Sequence, residues 1–529
     1  MGRSLEIIVH REMEKLRRGS GLSIRLANTL TFSFGCTYSL IQPRIAMGSN
    51  TPSQAPHEMF NFSVLTSSAA VLSPRLGRLT IAGRKPLSTP HYIPLTSRGV
   101  VPHLAHDVMR GSTSIGSLYI GLEDFIEKQH LQYKKTSLPV PIYAIPTAPH
   151  ESALRKFICA ADDLLLVFGA RREPPIAYGP ANTDTSIAVL TSVGYAQLEA
   201  NDYVGAIQRL SPDIVVGLAD LLVGQKPGIK RRVKMVDRTH AFTTHATDNL
   251  YGPELSEHSR STAAYFAPIL PLENTQQQLY LEDLETDLRP SISGLALYEP
   301  ASLSIVPETL GDLPRLLFSG PKTPHDLLRE VELGADLLTI PFLADASDAG
   351  MAFTFVFPAP SDTATASNPS TEPLPLADDL WSLSNTTDTG PLIKPCACYA
   401  CKNHHRAYIH HLLSAKEMLA WTLLQIHNYH TVDLFFANVR ESIERGTFEA
   451  DVRTFQQTYT AEFPETTGQG PRLRGYKLPT SGPTQPRRHP RAYGRLNVAA
   501  EKFAESQSDL ATPDTGAEGL EEHGFAKKA

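Results

Sequence analysis

Short apolar runs rich in β-branched residues are spaced through the middle of the chain: Arg75–Ile81, His91–Thr96, Pro141–Ile145, Leu164–Phe168, Ile187–Thr191, Ile214–Leu218, Ile292–Leu297, Leu316–Ser319 and Leu337–Phe342. Each run predicts a strand. The intervals carry helical periodicity. Thr323-Pro-His-Asp326, for example, offers an N-cap, a proline at the first helical position and an acid in the first turn, ahead of Leu327, Leu328 and Val331 on one face. Strand and helix alternating over so long a stretch predicts an α/β fold, a parallel sheet covered by helices. Periodicity does not separate an open doubly wound sheet from a closed barrel. No Gly-x-Gly-x-x-Gly follows a strand, which removes the usual dinucleotide-binding reading.

The pattern also sets boundaries. Residues 1–60 lack periodicity and read as a poorly ordered extension, and 61–358 as the main α/β unit. Residues 359–392, rich in Pro, Ser, Thr, Asp and Asn, read as a flexible polar insertion, and 393–460 as a helical unit bearing cysteines and a histidine. From 466 to 529 the chain reads as a disordered tail, basic from Arg472 to Arg495 and acidic from Glu501.

Composition narrows the setting. The chain has 529 residues, 41% of them apolar, enough for a sizeable core. A net charge of −6 advertises no nucleic acid globally, so any RNA surface must be a local patch. The apolar stretch from Leu22 to Ile41 is broken by Arg25, Asn28 and hydroxyl residues, and no membrane span is expected. Residues 16–46 are basic without Asp or Glu, faintly like a transit peptide, but Glu6, Glu12 and Glu14 precede them. The sequons at Asn61 and Asn385 are read as chance matches. The five cysteines, Cys36, Cys159, Cys396, Cys398 and Cys401, do not make a disulfide framework and point to a reducing, cytoplasmic setting.

Three of those cysteines form Cys396-Ala-Cys398-Tyr-Ala-Cys401, and His427 follows after 25 residues. Thiolate sulfur and imidazole nitrogen are preferred donors of Zn²⁺, and a Cys₃His set fills a tetrahedral shell, so the expected cofactor is one structural zinc ion per chain. His404, His405, His410, His411 and His430 are competing ligands. Ser414-Ala-Lys-Glu417 has the form of a capping box, which would start a helix of about thirteen residues with His427 on its last turn. Arg406–Leu412 would form a short helix before it.

The Cys-x-Cys-x-x-Cys motif with its distant His in Leu424-Gln-Ile-His427-Asn428, and Arg406–Glu417, resemble the zinc motif of the tRNA-guanine transglycosylases, or queuine tRNA-ribosyltransferases. The resemblance runs from about Arg75 to about Phe455. It implies an eight-stranded (β/α)8 TIM-like barrel with an appended zinc-binding helical subdomain, and chemistry on the loops after the strands.

Base exchange on tRNA, the family reaction, needs a carboxylate that attacks the ribose as the purine leaves. The family stretch bearing it resembles Gly334-Ala-Asp336-Leu-Leu-Thr339, with Gly350-Met-Ala-Phe-Thr354 in register, so Thr339 stands at the nucleophile's place and no catalytic residue is expected. Asp345 and Asp348 stand where the family has tRNA-contacting arginines, which would turn this mouth away from phosphate. The second acidic motif, at the end of an early strand, is expected at Tyr143–His150, where no carboxylate occurs. Ser211–Asp220 resembles the stretch ending in a guanine-reading aspartate, with Asp220 displaced by one position, and Ser293–Glu299 resembles another part of the base pocket.

A zinc motif and barrel pattern without the catalytic aspartates resemble the accessory, non-catalytic members of the family. That resemblance, to which Pro90–His103 adds, implies a heterodimer with a catalytic homologue. The pair would exchange guanine for queuine at wobble position 34 of GUN-anticodon tRNAs (Asp, Asn, His, Tyr), and tRNA would be met through the complex. The resemblance also implies cytoplasmic residence, with a peripheral place at the mitochondrial outer surface as a variant. The competing expectations are an active transglycosylase using displaced carboxylates and a zinc-containing RNA-binding barrel.

Overall fold

The computed structural model describes residues 60–66, 72–126, 140–148, 151–191, 194–256, 259–360 and 372–471. The extension before Phe60 and the tail after Pro471 lie outside the described residues.

Eight parallel strands make the central sheet: β4 (His91–Ile93), β5 (Ser117–Gly121), β6 (Leu165–Gly169), β9 (Ile214–Val216), β10 (Ala264–Ile269), β11 (Gly294–Leu297), β12 (Arg315–Leu317) and β13 (Leu337–Thr339). Their order is β4-β13-β12-β11-β10-β9-β6-β5. The sheet curls on itself and closes where Leu95 bridges Tyr119, with the Tyr119 amide donating to Pro94 O at 2.9 Å. The expected (β/α)8 barrel is therefore present.

Helices α1 (His106–Ser112), α2 (Ala153–Phe157), α3 (Ala200–Leu210), α4 (Ile229–Tyr251), α5 (Asn274–Glu285) and α6 (Pro324–Glu332) lie in the crossovers. The expected N-cap forms at Thr323, its hydroxyl accepting from the Asp326 amide, and the Asp326 side chain completes a capping box. Inside the barrel the alternating positions Leu165 and Val167, Ile214 and Val216, and Ala264 and Phe266 meet in one apolar cluster. Gly294 is required there, because a Cβ would stand 2.6 Å from the Phe266 ring.

Several expected strands are placed differently. Gly77–Ile81 (β2) pairs antiparallel with β1 (Phe60–Val64) and β3 (Leu87–Thr89) in a separate sheet. Leu79 and Leu87 from this sheet join the barrel's interior cluster. Arg75, just before it, grips Asp336, the residue that precedes β13, so the small sheet covers the N-terminal end of the barrel. Pro141–Ile145 is not a strand: Pro141–Ala144 is a 3-10 turn, for which a proline at the first position is suited. Ile187–Thr191 is a strand, but Ser186–Thr191 (β7) pairs antiparallel with Gly194–Glu199 (β8) as a hairpin outside the barrel. The barrel strands β5 and β10 escaped the sequence reading, although both are buried along their whole length.

After β13 come α7 (Pro341–Asp348) and β14 (Met351–Phe353). The insertion expected to be flexible is folded from residue 372 on, where Ala377–Asp379 (β15) pairs with β14 and Leu376, Leu380 and Leu392 are buried. These scattered leucines anchor a segment whose average composition is polar. Asn385 is 3% exposed and donates to Asp379 O, which leaves no room for a glycan. The head of the expected tail is packed as well, since a Cβ on Gly468 would lie 2.1 Å from the Trp381 ring.

The C-terminal helices α8 (Tyr399–Asn403), α9 (Arg406–Ser414), α10 (Met418–Arg445) and α11 (Phe448–Thr458) complete the fold. Helix α10 lies against the first barrel strand: the Tyr92 hydroxyl donates to Asp433 at 2.6 Å, and Arg440 donates to Pro90 O at 2.9 Å. Among the described residues no helix is long and apolar enough to cross a membrane.

Candidate metal centre and barrel mouth

Cys398 is the N-cap of α8, its Sγ accepting from the Cys401 amide at 3.3 Å, and this local bond turns both sulfurs to the same side. His427 reaches them from α10. The structure corrects the expected capping box. Ser414 ends α9 and its hydroxyl donates back to His410 O at 3.0 Å, a bond that competes with capping. Lys416, at φ +54, makes the turn, and Glu417 precedes α10 without a side-chain cap. Helix α10 runs for 28 residues, so His427 sits in its third turn and not its last. Buried Val432, Phe435, Phe436 and Val439 carry the helix onward beneath the barrel wall.

The donor atoms of Cys396, Cys398, Cys401 and His427 all lie within 4.8 Å of one another. The three sulfurs stand 3.7, 3.6 and 3.5 Å from His427 Nδ1. Tetrahedral bonds of about 2.3 Å to sulfur and about 2.1 Å to nitrogen require an S···N edge of about 3.6 Å. The set therefore fits a tetrahedral ion, and with four protein donors no position remains for substrate or water.

Protonation follows the crowding. Hydrogen bonds from Cys396 and Cys398 draw the Cys401 thiol far down, while its bonds to Cys396 and Cys401 push the Cys398 thiol up. Burial lowers His427, but Cys396 and Cys401 outweigh it and push it up to about 9.

Three of the competing histidines are engaged elsewhere. His405 caps α9 by accepting from the Tyr408 amide, His410 bonds Leu380 O, and His404 stacks on Tyr408. The Asn beside the ligand has its own task. Asn428 accepts from Phe353 N at 2.9 Å and donates to Met351 O at 3.0 Å and to Ser347 Oγ at 2.8 Å. His427 and Asn428 together fasten the Cys₃His cluster to β14 and α7.

At the C-terminal strand ends, the layer is filled by aromatic side chains. Tyr119 and Phe318 meet edge to face at 5.3 Å between centroids, and Tyr298 stacks on Phe318 at 5.7 Å. Thr339 closes β13 with 1% exposure, beside Ile93 in register.

Asp220 is fully buried and both its oxygens are taken. Asn182 and Arg231 donate to Oδ1, each at 2.6 Å, while Arg231 and Arg238 donate to Oδ2 at 2.5 and 3.1 Å. Burial would raise this carboxyl, but Arg231, Asn182 and Arg238 hold it below the usual carboxylate range. Four donors exhaust its acceptor sites, so none is left to read a base. Sequence reasoning missed Arg231 and Arg238; the cation run Lys230-Arg231-Arg232 entering a helix was the available signal.

Two further expectations are corrected. Residues 141–148 do not end a barrel strand. The strand that follows β5 in the barrel is β6, and its end reads Gly169-Ala-Arg171-Arg172-Glu173, which does contain a carboxylate. Burial first and the Glu123 charge second raise Glu173 well above the usual range. Asp345 and Asp348 lie on helix α7 and not on a loop, and Asp348 pairs with His103 at 2.5 Å. Its charge is directed to that partner beside α10, where the Trp421 indole donates to Asp348 O.

A family model described as queuine tRNA-ribosyltransferase matches residues 71–461. A Schizosaccharomyces pombe protein named queuine tRNA-ribosyltransferase accessory subunit 2 is 33% identical over 409 residues, covering 76% of this chain and 86% of the relative. Proteins of the same name from Homo sapiens and Xenopus laevis are each 26% identical, covering 70% and 73% of this chain and 93% and 97% of their own lengths. The chain belongs to the queuine tRNA-ribosyltransferase family, in its accessory-subunit branch.

Proposed function

We propose that this chain is the non-catalytic accessory subunit of a tRNA base-exchange enzyme, pairing as a heterodimer with a catalytic homologue that replaces guanine by queuine at position 34 of GUN-anticodon tRNAs. The observation that carries the reading is Thr339. A buried neutral hydroxyl at the end of β13 occupies the place of the attacking carboxylate, and a hydroxyl with no adjacent base is a poor nucleophile at neutral pH. Asp220, saturated by Arg231, Arg238 and Asn182, is a structural ion-pair centre in this reading and not a base reader. The Cys396, Cys398, Cys401 and His427 site holds one structural Zn²⁺ and fixes the C-terminal helices on the barrel. Reduced thiolates suit a cytoplasmic setting.

An active enzyme using a displaced carboxylate is the second reading, and Glu173 is the residue that would serve it. Burial and the Glu123 charge both oppose ionisation of this carboxyl, which weakens it as a nucleophile and disfavours that reading. The test is co-expression with the catalytic homologue and an assay of labelled guanine exchange on each chain alone and on the mixture. The expected result is exchange by the mixture and none by this chain. Turnover by this chain alone would refute the proposal.

A further inference from the structure

Helix α4 presents a face that the fold itself does not use. The segment from Lys226 to Lys234 reads Lys-Pro-Gly-Ile-Lys-Arg-Arg-Val-Lys, without an acid. Two of its arginines are engaged locally: Arg231 turns inward to Asp220, and Arg232 Nε donates to Pro227 O at 3.0 Å. Lys226, Lys230 and Lys234, at intervals of four residues, are exposed, and among the described residues no ion pair involves them. Beside them Ile229 and Val233 are 80% and 54% exposed.

The opposite side of α4 buries Met235, Val236, Thr239 and Phe242, so periodicity directs Lys230 and Lys234 outward, and Lys226 is exposed in the loop just before the N-cap, Gly228. The ties of Arg231 and Arg238 to Asp220, just beyond the end of β9, anchor the helix that carries Lys230 and Lys234 beside the strand-end face.

Folding alone argues against such a stripe. The positive end of the helix dipole favours acids in the first turn, and here that turn holds none, while the N-cap, Gly228, gives no side-chain bond. The unfavourable placement of cations is relieved by an anionic partner. Lysine is depleted from protein–protein interface cores, so the stripe suits phosphate better than it suits the surface of another subunit.

We propose that Lys226, Lys230 and Lys234 bind the phosphate backbone of the tRNA on which the heterodimer acts, with Ile229 and Val233 lying against its sugars. This rests on the accessory-subunit reading above. Such contacts carry no sequence information; they hold the RNA in place for the partner's active site.

The test uses the assembled heterodimer and a GUN-anticodon tRNA, with Lys226→Glu/Lys230→Glu/Lys234→Glu and the milder triple glutamine variant measured beside the wild type. Tight pairing of both variants with the catalytic subunit is expected. The tRNA Kd should rise about tenfold or more, and the slope of log affinity against log salt should flatten by about 2, as expected for losing three phosphate contacts. The KM for tRNA should rise while kcat holds. Unchanged affinity and slope in an intact heterodimer would overturn this surface alone. Loss of pairing in both variants would assign the stripe to the protein partner and overturn it too. Failure of the wild-type chain to pair would overturn the accessory-subunit reading together with it.

Discussion

His427 Nε2 donates to the carbonyl oxygen of Phe353, 74 residues earlier and 2.9 Å away. That bond fixes the tautomer and turns the Nδ1 lone pair toward the three sulfurs, as outer hydrogen bonds do in metal sites generally. It also joins the cluster's histidine on α10 to strand β14, so metal loss should be felt where the barrel ends. We expect the purified chain to hold one zinc per molecule, and Cys398→Ser to have low zinc content and poor solubility. Structural zinc contributes roughly 10–16 kcal/mol, more than a domain's usual net stability. A full zinc complement in Cys398→Ser, measured by elemental analysis, would remove the assignment.

Thr339→Asp tests whether one residue separates this barrel from an enzyme. We expect no exchange by the single variant. Asp220 is already spent on Arg231 and Arg238, and burial opposes ionisation of the Glu173 carboxyl. Glu173→Gln should likewise leave exchange by the heterodimer unchanged. Incorporation of labelled guanine by the Thr339→Asp chain alone would contradict this account.

The barrel was legible where strands are short, buried on both faces and bounded by turn residues, as at Ile214–Val216 and Leu337–Thr339. It was not legible at Ser117–Gly121, because Tyr119 lies inside the barrel and the run carries polar atoms that bond within it. The grouping of Cys396, Cys398, Cys401 and His427 was readable from spacing. Their support was not: whether Ser414 caps the next helix or bonds back to His410 depends on Lys416 adopting a left-handed turn, which no local pattern dictates. Asp220 was singled out by resemblance as a displaced base-reading aspartate, but its neutralisation by Arg231 and Arg238 is a tertiary fact, set by how α4 lies on β9.

Asp220→Ala discriminates a structural ion-pair centre from a base reader. Removing the carboxylate leaves Arg231 and Arg238 without their shared partner, and breaking a buried pair costs about 3–5 kcal/mol. We expect the lower part of that range, because the Arg231 side chain is 27% exposed and keeps some water. A variant with wild-type denaturation midpoint but lost purine binding would reassign Asp220 as a ligand residue.

Glu330, on α6, supplies a pH signature that is independent of the reaction. Its side chain is buried, Oε2 has no hydrogen-bond partner among the described residues, and burial pushes the carboxyl up to about 7. The Ser319 hydroxyl counters this in part and Asp326 adds to it. In the unfolded chain the same group titrates near about 4.3. Between those values the native state holds a proton that the unfolded state has released, so stability contributed by this group is present below about 4.3 and falls as pH rises to about 7, then levels. Glu330→Gln keeps the neutral shape and removes the titration. The variant should match the wild type near pH 4 and exceed it by about 3 kcal/mol, an order-of-magnitude figure, near pH 8. Denaturant midpoints at the two pH values measure the difference, and equal midpoints for both proteins at pH 8 would show that Glu330 ionises in the folded chain without cost.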